Sequence, residues 1–222
     1  MRVEYYKRLT KGLDIVKIDL GNVAITPDAP VTAGAWTTVD LIYTAGHPVD
    51  DSGCLKVCFR FAGDFGTPQF SDPQGPNYCT IRTNGDCAIE PRWDPKGHIR
   101  PWVKALYLKI TKGFLNRDDY VKVRFGDTSG GSCGWQMQTF CERSFEFKTF
   151  VDPIATYQFK ELPASPTLQI VPGDPVRPVC IAPSTVPVKQ SFDYFLKCED
   201  KWGNPVSPPT RVTNPGFAEE GV

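Results

Sequence analysis

The sequence predicts an all-β protein, an antiparallel β-sandwich followed by the start of an immunoglobulin-like β unit. Three observations predict it. Gly 19 and Pro 21 among 222 residues are many for a helical chain, and aromatics at 12% suit pleated sheets. Short alternations of apolar and polar residues recur along the chain, the pattern of half-buried strands. No segment sustains a 3.6-residue apolar period for three turns.

Taken in order, the first strands are "LDIVKIDL" (13–20), "WTTVDLIYTA" (36–45) and "CLKVCFRF" (54–61). "NYCTIRT" (77–83), "KALYLKI" (104–110) and "YVKVRFG" (120–126) follow, then "WQMQTFC" and "SFEFKTFV", separated by the turn-like Glu142-Arg143. In "YVKVRF" Val121, Val123 and Phe125 point one way and Lys122 and Arg124 the other. The expected core comprises Val39, Leu41, Leu55, Val57, Phe59, Leu106, Leu108, Val121, Val123 and Phe125. In "CLKVCFRF" Leu55, Val57, Phe59 and Phe61 form the buried face, so Cys54, Lys56, Cys58 and Arg60 share the other. Cys54 and Cys58 then lie roughly 13 Å apart along the strand, too far to bridge.

This sandwich spans residues 1–161. A Pro-rich linker, "LPASPTLQIVPGDPVRP" (162–178), holds five prolines. Residues 179–222 read as a partial immunoglobulin-like unit: a strand, a Pro-rich turn, a strand, the turn Trp202-Gly203-Asn204-Pro205, and a frayed tail.

Lys+Arg 25 balance Asp+Glu 25, so no net field draws the chain to nucleic acid or anionic lipid. No run approaches the length of a membrane span. The charged start, "MRVEYYKRLTKGLDIVKIDL", lacks the apolar stretch of a signal peptide, and Asn-x-Ser/Thr is absent. The expectation is a cytoplasmic protein whose eight cysteines are reduced, with Cys180 and Cys198 the first pair to test for a bridge.

Two stretches carry candidate chemistry. Gly130-Gly131-Ser132-Cys133-Gly134 fits the Gly-x-Ser-x-Gly pattern of a hydrolase nucleophile elbow, and Ser132-Cys133-Gly134-Trp135 has the look of a papain-type cysteine. Either nucleophile needs a histidine base, and the chain offers His47 and His98. An elbow also needs a following helix, whereas "CGWQMQTFCERSFEFKTF" alternates like a hairpin, so the loop reads as a glycine-rich turn. The second stretch is "PRWDPKGHIRPWVK" (91–104), read as a basic aromatic loop. There Arg92, Trp93, Lys96, His98, Arg100 and Trp102 are the candidate surface for a carbohydrate, an anionic small molecule or a protein partner. Asp50, Asp51, Asp64, Asp72, Asp86 and Asp127 sit at predicted turns without the spacing of a calcium loop. No metal and no cofactor are expected.

The segments "FGTPQFSDPQGPNYCTIRT", "GDTSGGSCGWQMQTF", "FEFKTFVDPIATYQF", "LQIVPGDPV" and "EDKWGNPV" resemble the N-terminal β-rich region of the bacterial domain-of-unknown-function family numbered 3604. The resemblance implies a β-rich portion preceding a domain similar to metal-dependent phosphoesterases. That domain opens on a Gly-Asp-Leu-His segment, which this sequence does not contain. Two functions therefore stand side by side. One is a non-catalytic β-sandwich module: a scaffold, partner-binding or substrate-presenting part of a larger hydrolase-like system, with a protein or a downstream metallohydrolase domain as partner. The other is a stand-alone serine or cysteine hydrolase using Ser132 or Cys133 with His98.

Overall fold

The computed structural model describes residues 19–208 and 210–214. In chain order the strands begin with β1 Asn22–Thr26, β2 Val31–Thr32, β3 Trp36–Thr37, β4 Val39–Thr44, β5 Cys54–Phe59 and β6 Cys79–Thr83. They continue with β7 Cys87–Asp94, β8 Lys104–Gly113, β9 Tyr120–Phe125, β10 Trp135–Gln136, β11 Glu142–Glu146 and β12 Lys148–Asp152. The last are β13 Lys160–Glu161, β14 Thr167–Val171, β15 Arg177–Ile181, β16 Phe192–Glu199 and β17 Thr210–Asn214. The described residues contain no helix, and the all-β class read from the sequence is the class observed.

Two antiparallel sheets, β1-β4-β9-β6 and β13-β12-β5-β8-β7, face each other across one core. Alternation within each strand decides which side chains enter it. Register pairs Leu41 with Val123 and Val39 with Phe125, and all four are buried; Asp40 and Arg124, one residue along, pair on the outer side. In the facing sheet Leu55, Val57 and Phe59 meet Leu106 and Leu108. Every predicted core residue is buried, and each such side chain removed from water contributes about 1.5–3 kcal/mol. Smaller sheets close the edges: β10-β3, and β11-β14-β2, in which β14 and β2 run parallel. A separate antiparallel sheet, β15-β16-β17, follows.

Several expectations are corrected. Of the strand expected at 13–20, residues 13–18 lie outside the described residues; Asp19 and Leu20 are not in a strand, and the first strand of the described residues is "NVAIT". Residues 87–94 form β7, although 91–94 were assigned to the basic loop; Pro91 is tolerated because β7 is the edge strand of its sheet. The segment 162–178 is no free linker, since Leu162, Leu168 and Ile170 are core residues and β14 is hydrogen-bonded on both sides. Phe61 lies beyond the end of β5 and is 49% exposed, so it is not part of the inner face. The other face of β5 is also buried, because Phe150, Phe159 and Trp102 cover Lys56 and Cys58. All eight cysteines are free thiols. Cys198 lies opposite Pro178 and Cys180 opposite Leu196, two pairs out of step for a bridge.

Asp127, just after β9, shows how the loops are pinned. Its carboxylate accepts from the Thr80 hydroxyl at 2.7 Å and the Ser129 amide at 3.0 Å. The Thr80 bond, opposed by burial and assisted by Ser129, holds the carboxyl down at about 2, against an ordinary 3.8. A carboxyl lowered on folding stabilises the fold above its unfolded value, and the effect is lost as pH falls through the folded one. Asp127→Asn is therefore expected to unfold more easily than the parent at neutral pH, with the difference shrinking between 3.8 and about 2. Urea midpoints measured across that window check it; a constant difference would show that the charge does not matter.

Candidate functional site

A concave surface lies on the outer face of the five-stranded sheet. Because Leu55, Val57, Leu106 and Leu108 point inward, their alternates point out, and register aligns them into rows. One row runs Arg92, Tyr107, Lys56, Phe150 across β7, β8, β5 and β12; the next runs Glu90, Lys109, Cys54, Asp152. After β12 the chain folds back over these rows. The buried Asp152 carboxylate accepts from the Thr156 amide at 3.0 Å, the Thr156 hydroxyl at 2.9 Å and the Tyr157 amide at 2.5 Å. This turn holds Ala155 and Tyr157 in the left-handed region, φ 54° and 60°, a conformation that costs a non-glycine residue about 1–3 kcal/mol. The outcome is a groove of about 560 Å³, with Tyr107, Tyr157 and Phe159 among its walls and Lys56, Arg92 and Lys109 supplying cations.

Lys56 is the unusual member. It is only 4% exposed, with its Nζ 3.9 Å from the Phe159 ring centre and 5.4 and 5.6 Å from those of Phe150 and Tyr107. The ammonium donates to His98 Nδ1 at 3.3 Å, which places the proton of the neutral imidazole on Nε2. No carboxylate of the described residues lies within ion-pair distance of Lys56. Burial lowers its pKa, opposed by the neighbouring Cys58 and Cys54. Burial, then repulsion from Lys56 and Lys148, likewise lowers that of His98. Burial pushes the Cys54 thiol up to about 11 and the Cys58 thiol to about 12, so neither is a nucleophile at neutral pH. Arg92 lies 4.3 Å over the Tyr107 ring, bonds Asp94 at 2.8 Å, and leaves 60% of its side chain exposed.

Sequence alternation splits the predicted surface. Arg92 enters the groove and His98 lies beside it, 4.9 Å from the Phe150 ring. Trp102 joins the adjoining outer cluster, with Arg60 and Lys148 at 5.0 and 5.1 Å over its ring. Trp93, one residue after Arg92, turns the other way and packs against Phe59 and Phe65 at 5.9 and 6.2 Å. Lys96 occupies the turn, its amide bonded to Asp94, and Arg100 stacks 5.0 Å over Phe61. Neither lines the groove. Lys56, Tyr107, Tyr157 and Phe159 were not singled out beforehand, although outward alternation marked the first two.

The glycine-rich loop does not form a nucleophile elbow. It runs from β9 into β10, not into a helix, and Trp135 at its end is fully buried. Gly126 has φ 71°, and a Cβ there would lie 2.2 Å from the Trp135 nitrogen, so glycine is required for the close approach of the chain to itself. Ser132 is buried and its hydroxyl accepts from the Gly134 amide at 3.3 Å, while Cys133 is exposed. No hydrogen bond of the described residues joins His98 to Ser132 or Cys133; the imidazole is held by Lys56 and Phe150 on the other sheet.

No protein-family model matches the chain, and no curated protein matches it in sequence. Among solved structures it is similar to the CBM3a-L domain with flanking linkers from scaffoldin CipA of the Clostridium thermocellum cellulosome. That match has 10% identity and a TM-score of 0.35, over 68% of this chain and 95% of that one. A family 3a carbohydrate-binding module from the same scaffolding matches at 9% identity and a TM-score of 0.32, over 63% of this chain and 99% of that one. An inactive mutant of an exo β-N-acetylglucosaminidase from Vibrio harveyi matches at 13% identity and a TM-score of 0.32, over 78% of this chain and 24% of that one. At such low scores none of these likenesses assigns a ligand.

Proposed function

We propose that this chain is a non-catalytic β-sandwich module that binds a carbohydrate in the groove on the outer face of its five-stranded sheet. The observation that carries the reading is Tyr157. It is 86% exposed at the groove, in a strained turn that the buried Asp152 holds with three hydrogen bonds. These bonds fix an exposed aromatic ring beside the groove, where it can cover a ligand. Tyr107 and Phe159 add ring surface for the apolar faces of a sugar, and Arg92, Lys109 and Glu90 add hydrogen-bonding groups for its hydroxyls. A volume of about 560 Å³ falls within the roughly 300–1,000 Å³ of small-ligand sites. The motif resemblance to the family numbered 3604 supports placing such a module as the substrate-presenting part of a larger hydrolase-like system.

A glycan array followed by titration calorimetry tests this. Tyr157→Ala is expected to weaken binding about tenfold, the effect of losing one stacking ring worth about 1.4 kcal/mol, with an unchanged circular dichroism spectrum. Full-strength binding by Tyr157→Ala, or no glycan bound by the parent, would sink the reading.

A further inference from the structure

We infer that the groove selects acidic sugars, taking the carboxylate of a uronate on Arg92 above the uncompensated charge of Lys56. The inference rests on the carbohydrate reading and adds the class of sugar. A buried ammonium is costly without a counter-ion, and this one has rings, a neutral imidazole and the Cys54 and Cys58 thiols about it but no ion pair among the described residues. Three other cations on the two sheets have carboxylate partners: Lys148 with Glu161 at 2.5 Å, and Lys122 and Arg124 with Asp40 at 2.6 and 2.7 Å. The carboxylate nearest in the rows, Asp152, is committed to Thr156 and Tyr157. The groove lining thus sets three cations, Lys56, Arg92 and Lys109, against two carboxylates, Glu90 and Asp152.

Arg92 is placed to meet that charge. It and Lys56 are the cross-strand neighbours of Tyr107 on its two sides, so cations flank the aromatic floor. One guanidinium nitrogen is bonded to Asp94, and the largely exposed remainder of the fork stays available to a second carboxylate. Rings for the sugar face and a cation beside them match a uronate better than a neutral hexose. Lys56 lies below, where water is scarce and its field is weakly screened.

The test compares oligogalacturonate with the same oligosaccharide fully methyl-esterified, which keeps the shape and removes the charge. Dextran sulfate serves as the arm for anions other than carboxylate. The parent is expected to bind the free acid about tenfold or more tighter than the ester, with the difference falling as salt rises. Arg92→Ala is expected to lose that preference, weakening binding to the free acid far more than binding to the ester. Lys56→Met, which keeps a long apolar stem beneath Phe159, is expected to reduce the preference without lowering the melting temperature. Equal binding of acid and ester overturns the inference and leaves the sugar-binding reading standing. Tighter binding of dextran sulfate than of oligogalacturonate overturns the assignment to uronates. Binding of no glycan at all removes both readings. A marked fall in melting temperature of Lys56→Met assigns that lysine to stability, and overturns its part in selection.

Discussion

Phe59→Ala is expected to destabilise the protein by about 3–5 kcal/mol, the usual cost of deleting a buried phenylalanine. The residue is wholly buried on β5 and lies at the centre of the aromatic core. Its ring centre is 5.2 Å from that of Phe65, 5.4 Å from Phe147, 5.8 Å from Phe145 and 5.9 Å from Trp93. Across the sandwich it reaches Phe125 at 6.0 Å and Trp135 at 6.1 Å. Truncation leaves a cavity bounded by large, flat rings that cannot collapse into it without abandoning their own packing. Against a typical net stability of about 5–15 kcal/mol, this is a large fraction. The measurement is urea denaturation, where the midpoint should fall with an unchanged slope. Phe59→Leu, which refills most of the space, should cost less than half as much. A midpoint for Phe59→Ala within about 1 kcal/mol of the parent would show that the two sheets do not meet through this ring.

The second large effect is expected at Asp200, in the segment "EDKWGNPV". Its carboxylate accepts from the amides of Trp202 and Asn204 at 2.9 Å, from the Asn204 side chain at 2.9 Å and from the Gly173 amide at 3.0 Å. Asn204, fixed in this way, donates to the Thr139 carbonyl at 2.8 Å and accepts from the Cys141 amide at 2.9 Å. Trp202 packs over Gly34, where a Cβ would lie 2.4 Å from the indole nitrogen. One carboxylate thus organises the turn that ties the β15-β16-β17 sheet to the sandwich. At 2% exposure its loss leaves several donors without water to replace it, at a cost of about 3–4 kcal/mol. Burial raises its pKa, but the bonds from Asn204, Gly173 and Trp202 outweigh this and the net direction is down, so the charged form is the one being held. Asp200→Ala should therefore expose the region after residue 172 to limited proteolysis and lower the melting temperature. Asp200→Asn, which keeps one acceptor, should lie between. Cleavage patterns identical to the parent would show that the third sheet is held by other contacts.

Much of the sandwich was legible because a strand's two faces are a local property. "YVKVRF" and "CLKVCFRF" assign each residue to the inner or outer side without reference to any partner, and the inner residues are in the core except Phe61, which lies past the end of β5. Local reasoning failed where a residue type is usually excluded from a strand. Pro91 made β7 look like loop, and the prolines around Leu168 and Ile170 made β14 look like linker. In both cases tertiary pairing overrode the local signal, at a sheet edge in the first and between β11 and β2 in the second.

The glycine-rich loop shows the converse error that a motif invites. Two partial signatures overlap there, yet each is a short-range pattern, and catalysis depends on where a distant histidine lies. Alternation alone determined that this is a sandwich, which side chains fill it, and that Lys56 and Tyr107 face away from the core. Only the tertiary structure decided that Arg92, Tyr107, Lys56 and Phe150 form one row, that Asp152 folds Tyr157 and Phe159 over it, and that Trp93 leaves its neighbours for the inner core. The physical reason is range: facing is set by a period of two within one strand, whereas neighbours are set by register between strands far apart in the chain.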